Sequence, residues 1–505
     1  MGFNDLNKPK KTNGANNVQI QGPTSTFGEV SVTNAVPIAQ GDFVYGINSQ
    51  IFSTSAFSGG TVTHASGNVV LQSGTDPDGS ATIQLRRRLE YRPGQGSLMR
   101  ATALYGTPDA GSAQFIGAGS AECGYFIGYF STAFGILHSE RGQREIRRLD
   151  ITTGAGTEDV TVTLDGNSIV VPVTGGGSPE TTAYQLSIAD YSQVGRGGWI
   201  ADAISGSVYY IAARSNSLST GSYSVAGTSI VGAYTRFLAG EAQTNTFIPQ
   251  ASFNIDKLDG TGPSGMTLDT TKGNVFEIGV QYLGYGNAKF AIEDPETGNL
   301  RPFHTIKNAN SRTTTVLKNP NLSILATSAN IGGTTSTALK TASMAGFTEG
   351  EIQKLDPKFA RSFTFTNVSE SSYVPLALLK TNRVYNGSSS WGEFDLLRVA
   401  ASNEVNNKTL TIGFFLNPEV TGDVNFQNVD ENDSIVSIAE MDPSNDNFLN
   451  PPVPFYEMVA GSAATVSEQI DSLKFVFGPG NIVAIGIKTT ASINGQVSVN
   501  WFEQQ

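Results

Sequence analysis

Three histidines, His64, His138 and His304, are the side chains of this sequence best suited to bind a transition metal, since neutral imidazole is a common metal ligand. Each lies in a separate predicted β-strand, and no HExxH spacing joins any two of them. A metal trio would need the fold to bring all three strands together. We therefore predict that the histidines are packed or surface residues, with no metal site and no cofactor.

Paired carboxylates are the second chemistry to consider, because glycoside hydrolysis needs two carboxyl groups that flank the scissile bond. Glu277, Glu293 and Asp294 lie at predicted strand edges or turns, where surface solvation accounts for them. The chain has no Glu-x-Asp-x-x-Glu run, no Walker loop and no Gly-x-Ser-x-Gly elbow. The sequence predicts a protein that is not an enzyme, and a glycan depolymerase is the least favoured alternative.

Acidic loops could bind calcium through hard oxygen ligands. Asp430, Glu431 and Asp433 form one dense cluster, and Asp442 with Asp446 forms another. Neither follows the Asp-x-Asp-x-Asp-Gly pattern of a calcium loop, so we interpret both as flexible acidic loops and leave calcium as an alternative.

Aromatic rings can stack on sugar rings, which makes large aromatic side chains candidates for glycan contact. Four residues are candidates: Trp199, Tyr282, Tyr285 and Trp391. Each could equally be a packing residue, because aromatic side chains also dominate protein cores.

The composition suits a folded, turn-rich β protein, since the 505 residues include 56 glycines and only 15% are charged. The net charge of -12 argues against a nucleic-acid partner, which would need clustered Lys and Arg. Three local basic clusters, at 8–11, 86–88 and 144–148, are predicted to be solvated surface or inter-subunit ion pairs. Cys123, the only cysteine, rules out an intrachain disulfide and is predicted to be a small core residue.

We expect neither a secretory signal peptide nor a membrane span. The first 20 residues have no apolar segment typical of a signal peptide. No stretch approaches the roughly 20 apolar residues of a membrane span, so we expect no membrane partner.

The elements that must position these residues are mainly strands. Residues 274–306 predict a three-stranded meander, because Phe276, Ile278 and Val280 alternate with smaller or polar residues and the segment 294–299 has the Pro and Gly of a hairpin turn. Such a ribbon has one apolar face that a second sheet must cover. We predict a split jelly roll made of residues 41–149 and 241–345.

The block between these halves, residues 150–240, predicts an inserted ββαββ module. A helix begins at Ser178-Pro-Glu180, where an N-cap serine precedes a proline and an acidic residue. Tyr184, Ile188 and Tyr191 recur at helical spacing and predict the face that packs on a sheet.

The remaining segments complete the predicted domain organisation. Residues 1–40 predict an extended N-terminal arm, residues 346–361 a linker, and residues 362–505 a second β-sandwich. Two long loops of that sandwich, 418–433 and 442–454, are expected to be functional or to lie in an interface. The predicted fold class is thus mainly β, with two jelly-roll-like β-sandwich domains and a small inserted α/β module.

Several stretches resemble a module of virion structural proteins from tailed phages and other large double-stranded DNA viruses. They are YRPGQGSLMRATALYG (91–106), GYFIGYFSTAFGILH (124–138), DGTGPSGMTLD (259–269), NVFEIGVQYLGYGNAKFAIEDPETG (274–298) and ASMAGFTEG (342–350). The residues that carry the resemblance are Tyr91, Arg92, Gly94, Gly96, Gly135, His138, Tyr282, Gly284, Asp294, Gly298 and His304. The module spans about residues 85–350. Residues 151–232 are also similar to small inserted modules of phage surface and tail proteins, and residues 486–501 to sandwich termini of that class.

The resemblance implies a concanavalin-like or laminin-G-like jelly roll exposed on a virus particle, and it names no catalytic residue. The implied function is a minor capsid, tail or fibre component that serves particle assembly and surface display. The implied partners are other virion proteins and further copies of this chain, and the implied location is the virion. The alternative is a carbohydrate-binding attachment protein, a fibre or spike, whose partners would be host surface glycans.

Overall fold

The computed structural model of the protein describes residues 34–504 apart from positions 90, 121, 175–176, 196, 216, 351–356, 451–452 and 474. Within these residues nearly all of the regular secondary structure is β-strand, and the strands pair antiparallel. The predicted class, mainly β with jelly-roll-like sandwiches, is confirmed.

The strands belong to three units along the chain. The first part of the chain forms β1 Ala35–Asp42, β2 Phe52–Phe57, β3 Thr61–Ala65, β4 Asn68–Gln72, β5 Ser80–Leu89, β6 Ser97–Tyr105, β7 Ser112–Gly119, β8 Gly124–Phe130 and β9 Ala133–Glu140. The inserted module forms β10 Arg144–Thr153, β11 Glu158–Leu164, β12 Asn167–Val173, α1 Pro179–Ser187, β13 Trp199–Ile204, β14 Ser207–Ser215, β15 Ser224–Ala226 and β16 Val231–Leu238. The first unit then resumes with β17 Thr244–Pro249, a 3-10 helix Gln250–Ser252, β18 Asn274–Val280, β19 Ala288–Glu293, β20 Leu300–Ile306, β21 Leu322–Asn330, β22 Ala338–Thr341 and β23 Ser343–Glu349. The last unit forms β24 Lys358–Val368, β25 Val374–Thr381, β26 Val384–Tyr385, β27 Ser388–Ser389, β28 Glu393–Asn403, β29 Leu410–Leu416, β30 Gln427–Asn428, β31 Val436–Glu440, β32 Tyr456–Ala460, β33 Thr465–Gln469, a 3-10 helix Asp471–Leu473, β34 Val476–Phe477, β35 Ile482–Thr489 and β36 Ile493–Gln504.

The N-terminal sandwich consists of two large sheets that share one core. One sheet runs β20-β19-β18-β6-β22-β4-β3, with β23 paired to β6 and β1 paired to β23. The other runs β17-β9-β8-β7-β21-β5-β2. Alternating residues of both sheets, such as Ile278 and Met99 from one and Ile127 and Ile324 from the other, are buried in the same cluster. Each sheet therefore covers the apolar face of the other, with strands contributed from both sides of the insert.

The meander predicted at residues 274–306 is present as β18, β19 and β20. Phe276 and Ile278 are fully buried, as their alternation requires. The turn that follows β19 is closed by a hydrogen bond from the Asp294 N–H to the Asn299 carbonyl. Gly298 has φ +69°, a left-handed conformation that glycine adopts without steric cost.

The inserted module packs α1 against two small sheets, β13-β14-β10-β16 and β12-β11-β15. Its helix begins as predicted: Ser178 is the N-cap, Pro179 follows, and Glu180 lies in the first turn. The predicted helical face is wrong, because the helix ends at Ser187 and Ile188 is 57% exposed. Tyr184 packs against the C-terminal sandwich, and Tyr191, beyond the helix, is the predicted residue that is buried in the module core.

The Ser178→Ala variant should lower the free energy of unfolding by about 1 kcal/mol. The Ser178 hydroxyl accepts a hydrogen bond from the Thr181 N–H at 3.1 Å, and alanine would leave that donor without its cap. Urea denaturation measures the difference. Ser178→Asn is the matched control, since asparagine caps helices as well as serine does, and equal loss in both variants would contradict the capping account.

The C-terminal sandwich pairs a sheet β24-β36-β28-β33 with a sheet β30-β31-β25-β35-β29-β32. Trp501 and Phe394 from the first and Phe414 and Ile485 from the second are fully buried in its core. The two long loops predicted in this sandwich meet through an antiparallel bridge between Val420 and Phe448. The first of them, 418–433, lies in the interface with the inserted module, where Phe426 packs against Tyr184, which agrees with one of the two expectations for these loops.

Three predicted boundaries differ from the structure. The predicted start of the insert, residue 150, falls inside β10, and the described module adds β10, β15 and β16 to the ββαββ pattern. The linker predicted at 346–361 overlaps β23 and β24, and positions 351–356 lie outside the described residues. The inward residues of β23 are Met344, Gly346 and Thr348, so its alternation carries little hydrophobic signal.

The predicted N-terminal arm, residues 1–40, is described only from residue 34 onward. Its last residues belong to β1, which pairs with β23 rather than extending freely. The basic cluster at 8–11 lies outside the described residues. Among those that are described, no helix has the length and apolar character needed to cross a membrane.

Candidate binding site

A cavity of about 640 Å³ lies where the two sandwiches and the inserted module meet. Its walls come from β2 and β5 of the N-terminal sandwich, from the segment between α1 and β13, and from loops beside β25 and β35 of the C-terminal sandwich. Ligand pockets in proteins have volumes of roughly 300–1,000 Å³. The junction cavity, as we call it, is thus large enough to hold a small ligand.

Five cationic side chains line the junction cavity, although the whole chain has a net charge of -12. Arg86 and Arg88 lie two residues apart on β5, so the pleat of the strand turns both to one side. Arg144 begins β10, Lys380 lies near the end of β25, and Arg383 follows that strand. Each of the three units therefore contributes positive charge to the cavity.

Trp391 is the point at which two of these arginines converge. The guanidinium carbons of Arg88 and Arg144 lie 4.3 and 4.6 Å from the centre of its ring, which is cation–π geometry. The indole Nε1 donates to Glu122 Oε2 at 2.9 Å, and Arg88 Nη1 donates to the Trp391 carbonyl at 3.0 Å. These contacts tie the C-terminal sandwich to the N-terminal sandwich and to the start of the insert.

Burial perturbs both arginines without discharging them. Burial lowers the pKa of Arg88 to about 10, because the opposing effect of Glu393 does not compensate for lost hydration. Burial also lowers the pKa of Arg144, and Glu122 opposes that change. Both side chains remain protonated at neutral pH, so this wall of the cavity stays positive.

Lys380 forms a buried ion pair across the interface between the insert and the C-terminal sandwich. Its Nζ lies 2.6 Å from Asp202 Oδ1, and the two side chains are 5% and 2% exposed. Nζ also donates to the Ala203 carbonyl, and Asp202 Oδ2 accepts from the Arg383 N–H at 2.7 Å. Burial lowers the pKa of Lys380, while Asp202 opposes the shift.

The Arg383 guanidinium lies beside the turn at residues 478–480. Gly480 has φ +80°, and a Cβ at that position would lie 2.1 Å from Arg383 Cζ, so the missing side chain leaves the space that the guanidinium occupies. Burial lowers the pKa of Arg383, Asp202 opposes the shift and Arg86 adds to it. Within the described part of the chain, no carboxylate oxygen lies within 4.0 Å of this guanidinium.

The structure brings two of the four predicted glycan-contact aromatics, Trp199 and Trp391, to the junction cavity. Trp199 is only 4% exposed and packs edge-on against Tyr223, so its ring offers no open face to solvent. Trp391 is half-buried and in contact with the two arginines described above. Neither tryptophan therefore forms an open stacking platform.

The other two predicted aromatics lie elsewhere, beside the turn that follows β18. Tyr282 packs edge-on against Tyr91 at 4.9 Å, and its hydroxyl donates to the Leu317 carbonyl at 2.8 Å. Tyr285 is 44% exposed. Tyr282 has a packing role, and only Tyr285 presents a substantial part of its ring to solvent.

The cationic residues of the cavity are not identifiable from the sequence as a site. The clusters at 86–88 and 144–148 are visible, but the prediction of solvated surface or inter-subunit pairs is wrong for Arg88 and Arg144, which are 7% and 6% exposed. A run of three arginines within an alternating strand is the available signal. Lys380 and Arg383 carry no sequence pattern that marks them.

A second polar cluster is buried inside the N-terminal sandwich, around His138. Its imidazole stacks on the Tyr125 ring at 4.5 Å, and Nδ1 lies 3.1 Å from Glu140 Oε1. Arg312 donates to both oxygens of Glu140, at 2.6 Å each. Burial alone would raise the pKa of Glu140, but the hydrogen bonds from Arg312 outweigh it and lower the pKa.

The same surroundings favour the charged form of Glu140 but the neutral form of His138. Burial lowers the pKa of His138 to about 4, because the carboxylate that would favour its charged form is already engaged by Arg312. His138 is thus neutral at physiological pH. It is a packed residue, as the sequence analysis predicted.

The remaining candidate ligands are engaged separately. His64 Nε2 lies 2.6 Å from the Phe43 carbonyl, whereas His304 Nδ1 accepts from the Asn254 N–H at 3.1 Å. Across the described residues, no three His, Cys, Asp or Glu side chains are placed to hold a metal ion.

The acidic loops have local hydrogen-bond partners. Asp430 accepts hydrogen bonds from the N–H groups of Asn432 and Asp433, and Asp446 accepts from the N–H of Asp442. These carboxylates therefore stabilise their own turns.

The three carboxylates that were considered for hydrolysis and set aside, and the cysteine, also have structural surroundings. Glu277 pairs with Arg100 at 2.7 Å, while Asp294 accepts from the Glu296 N–H and from Arg301. Glu293 is exposed at the end of β19. Cys123 is fully buried in the N-terminal core, which confirms its predicted role.

No protein-family model matches the chain, and the search of curated proteins also returned no match. Solved structures align over about three fifths of it. A glycosyl hydrolase family protein from Mycobacterium fortuitum aligns with TM-score 0.28 and 10% identity, covering 63% of this chain and 100% of that one. A legume lectin-like domain from Entamoeba histolytica aligns with TM-score 0.25 and 10% identity, covering 62% and 97%. The CBM2 module of the evolved Dit of Lactobacillus casei BL23 phage J-1 aligns with TM-score 0.24 and 8% identity, covering 64% and 100%. Likeness at this level assigns no family, and the class rests on the sheets themselves: a protein of antiparallel, jelly-roll-like β-sandwiches.

Proposed function

We propose that this protein is a structural component of a virus particle, without catalytic activity, that holds a jelly-roll sandwich on the particle surface. The sequence resemblance to virion structural proteins supports the assignment to a particle. The arrangement of the three units supports a structural role. Its partners would be other virion proteins and further copies of this chain.

The observation that carries this proposal is the set of ion pairs and hydrogen bonds that join the three units to each other. Lys380 binds Asp202 across one interface, and Trp391 binds Arg88 and Glu122 across another. Gln193 of the insert donates to the Ala56 carbonyl of the N-terminal sandwich at 2.9 Å, which joins the third pair of units. Separating the units would leave buried charges without their partners, which is strongly destabilising, and a particle component benefits from the resulting rigidity.

Unpaired sheet edges provide a route to assembly. Within the described residues, β2, β3, β17 and β20 each pair with only one other strand. Such edges can be extended by a strand from another chain or covered by a neighbouring subunit. We expect the assembled particle to cover at least part of them.

Mass spectrometry of purified particles tests the proposal. Particles from cells infected by the virus that encodes this chain should contain the intact protein after density-gradient purification, at a fixed copy number relative to the major capsid protein. A copy number in the hundreds indicates a capsid-wide role and a small one indicates a tail or vertex. Absence from gradient-purified particles overturns the proposal.

Carbohydrate binding is the second candidate function, and the junction cavity is the observation that favours it. The cavity combines aromatic, hydroxyl and amide side chains with a volume suited to a small ligand. A glycan array probed with the full-length protein should show selective binding, and a uniform absence of signal contradicts this second function.

A further inference from the structure

The balance of charge in the junction cavity is the starting point for a more specific inference. Its lining includes five cations and two carboxylates, Asp190 and Asp202. Asp202 is already paired with Lys380, and Arg88 and Arg144 are held by Trp391 and Glu122. The cations that remain for a ligand are Arg86 and Arg383.

Arg86 and Arg383 have no carboxylate partner in ion-pair range within the described chain. Arg86 Nε donates to the Ser49 and Phe52 carbonyls, which satisfy that N–H but do not balance its charge. The two guanidinium groups are close enough that Arg86 lowers the pKa of Arg383. Two like charges that approach each other beside a cavity are stabilised by an anion that both can bind.

Arg144 gives an independent indication of the same kind. Its side chain is 6% exposed and lines the cavity, yet among the described residues its Nε has no hydrogen-bond partner. The nearest carboxylate oxygen, Glu122 Oε1, lies 3.9 Å away, beyond hydrogen-bond distance. A buried N–H without a partner is costly, and a bound ligand oxygen would satisfy it.

The uncharged part of the lining indicates what else the ligand carries. It includes hydroxyl and amide side chains from all three units: Ser53, Ser55, Gln84, Ser192, Asn417 and Asn481. Such groups can both donate and accept hydrogen bonds, which suits a ligand with several hydroxyl groups.

We propose that the junction cavity binds an acidic saccharide, whose carboxylate or sulfate group lies between the guanidinium groups of Arg383 and Arg86. Guanidinium groups bind such planar or tetrahedral oxyanions through parallel hydrogen bonds, and the hydroxyl and amide side chains would bind the sugar ring. The proposal rests on the second candidate function and narrows it to charged glycans at one site. Because all three units contribute to the cavity, the ligand would bind only when the two sandwiches and the inserted module are packed together in the folded chain.

Titration calorimetry with the full-length protein tests the proposal at low ionic strength. The probes are methyl glucuronide, methyl galacturonide, N-acetylneuraminate and glucose 6-sulfate, with methyl glucoside and methyl galactoside as neutral counterparts and sodium sulfate as a free anion. At least one acidic sugar should bind about tenfold or more tightly than the neutral sugars and than sulfate. Raising the salt concentration should weaken that binding.

Variants identify the site. Arg383→Gln and Arg86→Gln should each weaken binding of the acidic sugar about tenfold or more, and Arg383→Lys should recover only part of the loss because lysine lacks the planar fork. Arg398→Gln is the matched control, an exposed arginine outside the cavity, and should bind as the unmodified protein does. Arg86 is exposed, so its variant tests the site even where a change at Arg383 alters folding.

The outcomes separate this proposal from the function on which it rests. Equal binding of acidic and neutral sugars, or acidic binding that both variants leave unchanged, overturns the anion site while carbohydrate binding stands. If free sulfate binds as tightly as the best acidic sugar, the cavity is an anion site and the assignment of its ligand as a saccharide is wrong. No binding of any probe, together with a blank glycan array, overturns both.

Discussion

The Asp202→Asn variant is expected to lower the free energy of unfolding by about 3–5 kcal/mol, among the largest effects of any single substitution in this protein. The change leaves the Lys380 ammonium buried without its counter-ion at the interface between the insert and the C-terminal sandwich. It also alters the acceptor of the Arg383 N–H. An uncompensated buried charge costs far more than the pair contributes, since both charges lost their hydration on folding.

Urea denaturation, followed by tryptophan fluorescence, measures this loss. The matched control is Glu440→Gln, which breaks the pair between Glu440 and Arg361 at a similar distance, 2.9 Å, but at 60% and 55% exposure. That exposed pair should contribute less than about 1 kcal/mol. The double variant Asp202→Asn with Lys380→Met removes the stranded charge and should regain part of the stability. If Asp202→Asn costs no more than Glu440→Gln, the buried pair does not hold the units together.

Acidification should destabilise the N-terminal sandwich through His138, by about 3 kcal/mol between pH 6.5 and pH 4. The pKa of His138 is about 4 in the folded protein and about 6.5 when unfolded. Over this window the unfolded chain binds the proton and the folded chain does not, so stability falls as the pH falls. Above pH 6.5 both states are neutral at this residue, and its contribution no longer depends on pH.

The test compares unfolding free energies of the unmodified protein and of His138→Asn across this pH range. Carboxylates contribute to acid unfolding in both proteins. The contribution of His138 is therefore the difference between the two proteins in how steeply the free energy of unfolding changes with pH. The chain contains only three histidines, and NMR of protein labelled with carbon-13 in histidine can follow His138 directly, with the variant as the assignment. Parallel pH profiles, or a His138 resonance that titrates near pH 6.5, would contradict the buried neutral state.

Local features of the fold were predictable because their causes are local. The alternation of Phe276, Ile278 and Val280 and the turn chemistry around Gly298 predicted the meander correctly. The N-cap at Ser178 was equally readable, since one side chain and one backbone N–H define it. Strand β10 was missed because Arg144 and Glu145 are buried charged residues, and two residues that contact them, Glu122 and Ser219, lie 22 and 74 positions away in sequence.

The sequence by itself determined the class of this protein: a mainly β chain of jelly-roll-like sandwiches. Only the tertiary structure decided where a ligand could bind. Arg86, Arg383 and Arg144 come from three separate units. The sequence marks Arg86 and Arg144 as members of basic clusters, but it does not show that the three residues share a site. The physical reason is that strand periodicity records which side of a strand is buried, but not which distant charge will face it. The junction cavity exists only because three units are held together by buried polar contacts that the chain's local pattern does not contain.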